Sequence, residues 1–181
     1  MISKAALAAV AALALLAVPA RADITVKSQD GSLELTLPNG WHEAPGDQAG
    51  AKLVGTDGHG ARIIVRVHSK EDFKDIKALA TYVVGRLKLQ DGEPKTEDIQ
   101  MNGKPAIRTV VVGTEPEGIR LGFVITIFES DGNYYVVTGR APASQFGKDE
   151  AILAGLAGQL KVAPVAPASA PPAPAKPPAR R

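Results

Sequence analysis

The side chains able to do chemistry are few in this 181-residue chain, which has three histidines, His42, His59 and His68, and no cysteine. A zinc site takes three or four ligands, often with two at short spacing on one element. Here the histidines stand 17 and 9 residues apart, so only the fold could bring them together, and they read as structural or surface side chains. Ser69 follows His68, but no Gly-x-Ser-x-Gly elbow exposes a nucleophile, and adjacency in sequence does not make a triad. Glu115 and Glu117 flank Pro116. Catalytic carboxylate pairs need environments that push their pKa values apart, usually through partial burial. This pair falls where an exposed turn is expected. Asp131-Gly132-Asn133 is too short for a calcium loop, which runs on to a distant Glu. The glycines lie in turns and not between a strand and a helix as Gly-x-Gly-x-x-Gly, so no nucleotide loop is supported. These readings imply no cofactor and no metal.

Two groups keep functional interest. Trp41-His42 follows Pro38-Asn39-Gly40 at a strand end, and Trp41 is the only tryptophan. It either plugs the end of the core or lines a pocket or an interface. Arg62, Arg66 and His68 fall at alternate positions of one strand and therefore share a face. That face is either simply solvated or receives an anionic group.

The charge is uneven along the chain. The total is +2 with a pI near 8.9. Residues 1–22 contribute +2 through Lys4 and Arg21, and residues 163–181 contribute +3 through Lys176, Arg180 and Arg181. Residues 23–162 hold 16 Lys and Arg against 19 Asp and Glu, a net of −3. No basic domain is left to neutralise phosphates, which argues against nucleic acid as a partner.

The two ends differ in kind from the middle. In 1–22 a short head with Lys4 precedes an apolar run, Pro19 breaks it, and Ala20-Arg21-Ala22 gives a small-x-small pattern before Asp23. This is a secretory signal pattern, with cleavage expected after Ala22 and a periplasmic or secreted destination. The run is shorter and richer in Ala than a membrane span, which needs ~20 strongly apolar residues. No second apolar run follows, so the mature chain is expected to carry no transmembrane segment. Residues 163–181 hold seven of the fourteen prolines and have no aliphatic periodicity. Such a segment cannot offset its own ordering entropy and reads as a disordered tail. It could also act as a spacer that carries Lys176, Arg180 and Arg181 to an anionic envelope surface.

Between them, 23–162 reads as one α+β domain. Strands are expected at 24–28 and 32–37 around Gln29-Asp30-Gly31, with Leu33, Leu35 and Leu37 alternating against Ser32, Glu34 and Thr36. Strands at 51–55 and 61–68 flank Thr56-Asp57-Gly58-His59-Gly60; in the second, Ile63, Val65 and Val67 face away from Arg62, Ile64, Arg66 and His68. A helix follows, capped by Ser69 or Asp72, with Ile76, Leu79, Ala80, Val83 and Leu87 as its buried stripe. Strands at 95–101 and 106–113 meet at Asn102-Gly103, a strong hairpin signal. Strands at 119–129 and 134–139 meet at Asp131-Gly132-Asn133. Leu121, Phe123, Ile125 and Ile127 lie on one side and Val124 and Phe128 on the other, which marks a central strand covered on both faces. A last helix over 146–160 supplies part of that cover through Ile152, Leu153, Leu156 and Leu160. The sum is about seven mostly antiparallel strands with helices packed on their faces, because hairpin-length links argue against parallel βαβ units.

This layout resembles the PsbP/DcrB-like family, which shares its fold with the Ran-binding Mog proteins. The likeness runs over most of 30–162. Gly31-x-Leu33-x-Leu35-x-x-Pro38-x-Gly40-Trp41 resembles the family's first strand and the turn that ends it. Asn102-Gly103-x-x-Ala106 resembles its central hairpin, Asp131-Gly132-x-x-Tyr135-x-Val137-x-Gly139-x-Ala141 its long hairpin, and Phe146 begins the closing helix. Each turn is common by itself, and their order and spacing carry the resemblance. It implies an antiparallel sheet between helices that serves as a binding or assembly scaffold and not as an enzyme. Plant members support the oxygen-evolving photosystem, and bacterial members are exported proteins. Two departures stand out: the lipobox Cys usual in the DcrB type is absent, and the Pro/Ala tail lies outside the family pattern.

Three functions follow in order of support. The first is an exported non-enzymatic accessory protein that binds an envelope protein or an anionic envelope surface. The second is a small-ligand binder with a pocket near Trp41, His42 and the Arg62/Arg66/His68 face. The third is a hydrolase with an unrecognised site.

Overall fold

The structure is a computed structural model that describes residues 23–45 and 49–163. The signal-like segment 1–22 and the tail cations Lys176, Arg180 and Arg181 lie outside the described residues.

The elements run β1 (Ile24–Lys27), β2 (Leu33–Leu37), β3 (His42–Glu43), β4 (Ala51–Thr56), β5 (Arg62–Ser69), a 3-10 turn (Lys70–Asp72), α1 (Ile76–Arg86), β6 (Lys95–Met101), β7 (Lys104–Thr114), β8 (Arg120–Ser130), β9 (Asn133–Pro142), α2 (Ala143–Gly158) and β10 (Leu160–Val162). Seven strands form one antiparallel sheet in the order β3-β4-β5-β9-β8-β7-β6. β1, β2 and β10 form a second, three-stranded antiparallel sheet. The fold is α+β, as the turn spacing and hydrophobic periods imply.

Periodicity sets most of these elements. Leu33, Leu35 and Leu37 are fully buried while Glu34 and Thr36 are half-exposed, the period of two that a one-sided strand requires. Asn102 and Gly103 both take positive φ, as a two-residue hairpin turn demands. β8 is buried on both sides: Val124 and Phe128 face one core, and Leu121, Phe123, Ile125 and Ile127 face the other.

The first core lies under α2 and the three-stranded sheet. α2 packs on β8 and β9, where glycines make room for it. A Cβ at Gly122 would run into the Phe146 ring, and one at Gly139 would come within 2.8 Å of the Leu153 Cβ. The second core lies under α1, which packs on β7 and β8.

Four details depart from the sequence expectations. The 24–37 hairpin forms, but it belongs to a second, three-stranded sheet and not to the one sheet expected. β10 is a strand that was not expected, and it begins at Leu160, where the final helix was expected to end; Leu160 pairs with Leu35 and Val162 with Leu33. A three-residue strand has no period of its own, and only its partner defines it. On α2 the inward residues are Phe146, Leu153, Leu156 and Ala157, whereas Ile152 is 46% exposed. Finally, Ser69 caps the 3-10 turn by accepting from the Glu71 N–H (3.2 Å), and Asp75 caps α1 by accepting from the Ala78 N–H (2.8 Å). The 3-10 turn interposes between strand and helix and moves the cap from Ser69 or Asp72 to Asp75.

Gly122→Ala is therefore expected to destabilise the domain by ~1–3 kcal/mol, the usual cost of overpacking, although Ala suits a strand better than Gly. Adding Phe146→Leu should return part of the loss. Urea denaturation midpoints of the three proteins check this.

Candidate functional site

α1 carries its expected stripe. Leu79 and Ala80 are buried, and Ile76, Val83 and Leu87 are partly buried against the second core. Lying over β7 and β8, α1 leaves β5 and β9 beside it open on the same face. A cavity of about 440 Å³ occupies this gap. Its floor includes Ile64 of β5, Phe123 of β8, and Val136 and Thr138 of β9. Tyr82, Val83, Arg86 and Leu87 wall it from α1 and its C-terminal end, with Ala49 and Gly50 on another side.

The strand register explains which charges meet here. In the antiparallel β5–β9 pair, Arg62 stands opposite Arg140, Ile64 opposite Thr138, Arg66 opposite Val136 and His68 opposite Tyr134. With a period of two, these residues share one face. Arg66, His68 and Arg140 line the cavity from the strands, and Arg86 lines it from α1. Arg62 is half-buried on the same face but outside the lining residues. Among the described residues, Glu115 is the one acid that lines the cavity. Among the described residues, Arg62, Arg86 and Arg140 enter no ion pair, whereas six other cations do.

Burial and like charge act together on this cluster. Burial lowers the pKa of the Arg66 guanidinium from its ordinary value, and the charge of Arg86 lowers it further. The His68 imidazole is also pulled down, first by burial and then by the charge of Arg66, with Asp72 opposing. His68 meets Phe73 edge-on at 5.6 Å between ring centroids and Tyr82 at 6.4 Å. Phe73 and Tyr82 are themselves 5.3 Å apart, which completes an aromatic trio at the cavity.

The structure thus brings Arg66 and His68 together, with Arg62 alongside. It sets Trp41 apart. Trp41 is 9% exposed and belongs to the first core, with Ile63, Val65 and Val137, across the sheet from the cavity. His42 is exposed on β3, opposite Thr56. His59 sits in the β4–β5 turn, where its N–H donates to Asp57 Oδ1 (2.8 Å). Among the described residues, no group of three His or carboxylate side chains is placed to hold a metal ion. Glu117 is exposed as expected, but Glu115 is half-buried and faces the cavity. The Glu115 N–H donates to the Ile119 carbonyl (2.8 Å), so Glu115 is the last closed position of the hairpin and not its tip.

Sequence reading missed Arg86, Arg140 and Tyr82. A signal existed for each. Arg140 has the parity of Val136 and Thr138 in β9, and Tyr82 and Arg86 are four apart on the flank of the α1 stripe. What was lacking was the register that joins the two strands and the placement of the helix.

The solved structures with a similar chain trace share this frame. The solution structure of cyanobacterial PsbP (CyanoP) from Synechocystis matches with a TM-score of 0.59 at 14% identity, over 81% of this chain and 96% of that one. The chain has a PsbP-like fold. LpqN of Mycobacterium tuberculosis, described as involved in cell envelope biogenesis, matches with a TM-score of 0.54 at 13% identity, over 79% of this chain and 91% of that one. A Bacteroides thetaiotaomicron protein matches at 0.53 and 12% identity, over 78% of this chain and 48% of that one. No family model matches the sequence, and no curated protein does. At such identities the likeness is one of fold, and the PsbP-like frame by itself assigns no site.

The lowered pKa of His68 has a consequence for stability. The unfolded chain holds the proton more tightly than the folded one, so stability falls as pH drops from about 6.5 toward the folded value. His68→Gln is expected to flatten that fall. Urea midpoints at about pH 7.5 and pH 5 should differ less in the variant than in the parent, and the His68 imidazole should titrate below the usual histidine midpoint by NMR. Equal acid losses in both proteins would place the effect elsewhere.

Proposed function

We propose that this chain is an exported, non-enzymatic accessory protein of the cell envelope that works by binding. The observation that carries the reading is the cation-lined cavity between α1 and the β5–β9 pair. An apolar floor with a few convergent charged groups is the composition of a recognition site. His68, the histidine at this site, lies against two rings, and burial first and the Arg66 charge second outweigh Asp72 in disfavouring its protonated form. A general base instead wants a carboxylate that orients it and stabilises its protonated form. The ligand pocket therefore belongs to the α1 face, with Arg66 and His68, while Trp41 serves the core on the opposite face.

Two further features support the envelope as the place of action. Residues 1–22 have the composition of a secretory signal. LpqN, with the same fold, is described as involved in cell envelope biogenesis. The partner is an envelope protein or an anionic envelope surface, with Lys176, Arg180 and Arg181 making the electrostatic contact. The acidic balance of 23–162 disfavours nucleic acid.

Fractionation and cross-linking test this. The exported protein is expected in the periplasmic or secreted fraction with Asp23 as its first residue. In-cell cross-linking should capture a specific envelope partner with the intact chain, and capture should fall at least about threefold without 163–181 if the tail supplies even ~0.6 kcal/mol of contact. Retention in the cytoplasm, or no specific partner for the intact chain, overturns the reading.

A further inference from the structure

The charge on the α1 face exceeds what the described acids offset. Among the described lining residues, Arg86 and Arg140 stand against one acid, Glu115. Arg62 stands directly across from Arg140, an arrangement of like charges that destabilises a strand pair. Elsewhere the chain pairs its cations readily, as in Arg120 with Asp91 at 2.7 Å and Lys70 with Glu129 at 2.7 Å. Among the described residues Arg62, Arg86 and Arg140 have no such partner. Two guanidinium forks from different elements can each present paired N–H donors to one oxyanion. Beside them lie Phe123 and Val136, an apolar floor too far inside the sheet to serve the charge. The cavity volume, about 440 Å³, falls in the ~300–1,000 Å³ range of small-molecule sites.

We propose that this cavity binds a phosphomonoester with an apolar or aromatic body, its phosphate held between Arg86 and Arg140 and its body laid on Phe123 and Val136. The assignment deepens the binding reading above and rests on it. A phosphomonoester carries a charge of about −1.5 to −2 at neutral pH and three acceptor oxygens, which suits two forks better than a carboxylate does. The group could come from a free phosphorylated metabolite or from a phosphatidic acid headgroup, and the chemistry at the two arginines is the same.

The test uses the chain as cells process it. Calorimetric titration with phenyl phosphate, inorganic phosphate and benzoate is run beside flotation with phosphatidylcholine vesicles, with and without phosphatidic acid. Either phenyl phosphate binds at least about tenfold more tightly than the other two soluble anions, or the protein floats only with phosphatidic acid. The first outcome names a soluble ligand and the second a lipid headgroup. In both, Arg86→Gln and Arg140→Gln each weaken binding about tenfold or more, Arg140→Lys weakens it less, and Lys148→Gln, an exposed cation on α2, changes nothing. Arg86 is exposed on the last turn of α1, so its variant reports even where the Arg140 variants fail to fold. Three results overturn the assignment: no soluble anion or vesicle binds, binding survives the arginine substitutions, or inorganic and phenyl phosphate bind alike with no flotation specific to phosphatidic acid. A chain that is exported and captures its partner yet ignores every anion refutes the cavity assignment alone. One that binds phenyl phosphate through Arg86 yet stays in the cytoplasm refutes the export reading alone.

Discussion

The β8–β9 pair is apolar on both faces, and the rest of the molecule is arranged to cover it. Val124, Phe128, Tyr135 and Val137 face one core, and Phe123, Ile125, Ile127 and Val136 face the other. Leaving either side in water would forgo about 1.5–3 kcal/mol for each large side chain. On the first side the cover is compound. α2 starts at Ala143, directly after β9 ends at Pro142, and settles on Gly122 and Gly139, whose missing side chains admit Phe146 and Leu153. β10 then pairs with β2 and draws the N-terminal hairpin into the same layer. The two ends of the domain are thus joined by the demand of its middle.

Among the described helices, α1 alone lies on the second side. Eleven residues of helix span roughly 16 Å, whereas six strand spacings of ~4.8 Å carry the large sheet across roughly 29 Å. A helix of that length, set over β7 and β8, cannot also close β5 and β9. The residues left there, Arg66, His68, Thr138 and Arg140, are those that tolerate water on one side and an apolar floor on the other. Their partial desolvation is visible in the lowered pKa values of Arg66 and His68. The cavity follows from the same constraint that fixes the fold: a two-sided hydrophobic centre with one lid shorter than the other.

What could be read from the sequence was whatever a single element decides alone. Leu33, Leu35 and Leu37 declare a one-sided strand, the opposed faces of β8 declare a central one, and Asn102-Gly103 declares a turn. The α1 stripe declares its own buried side. Features that depend on a second element were hidden. β10 exists only as a partner of β2. Ile152 looks like a core residue by spacing, but the glycine floor under Phe146 and Leu153 rotates it outward. At the site, Arg66 and His68 could be placed on one face by parity, yet Arg140 joins them only through the β5–β9 register and Arg86 only through the position of α1. Trp41 follows the turn at Pro38–Gly40, which the parity of neither flanking strand carries across, so its side of the sheet was not legible.

Fold and site rest on different residues, and the energetics of the sheet keep them apart. The frame shared with CyanoP and LpqN persists at 13–14% identity because many apolar sequences can make a two-sided sheet. None of that requires arginine at 62, 66 or 140. A β-branched residue at those positions would suit a half-buried strand better, and Arg62 opposite Arg140 opposes the pairing it sits in. The adjacent pair on the same face, Ile64 with Thr138, is of the β-branched kind that suits the sheet. Stability has been given up at one patch of an otherwise well-matched core, which is the pattern expected where function and not folding selects the side chain. Likeness of fold therefore accounts for the scaffold alone, and the cations that the scaffold does not need lie outside what that likeness explains.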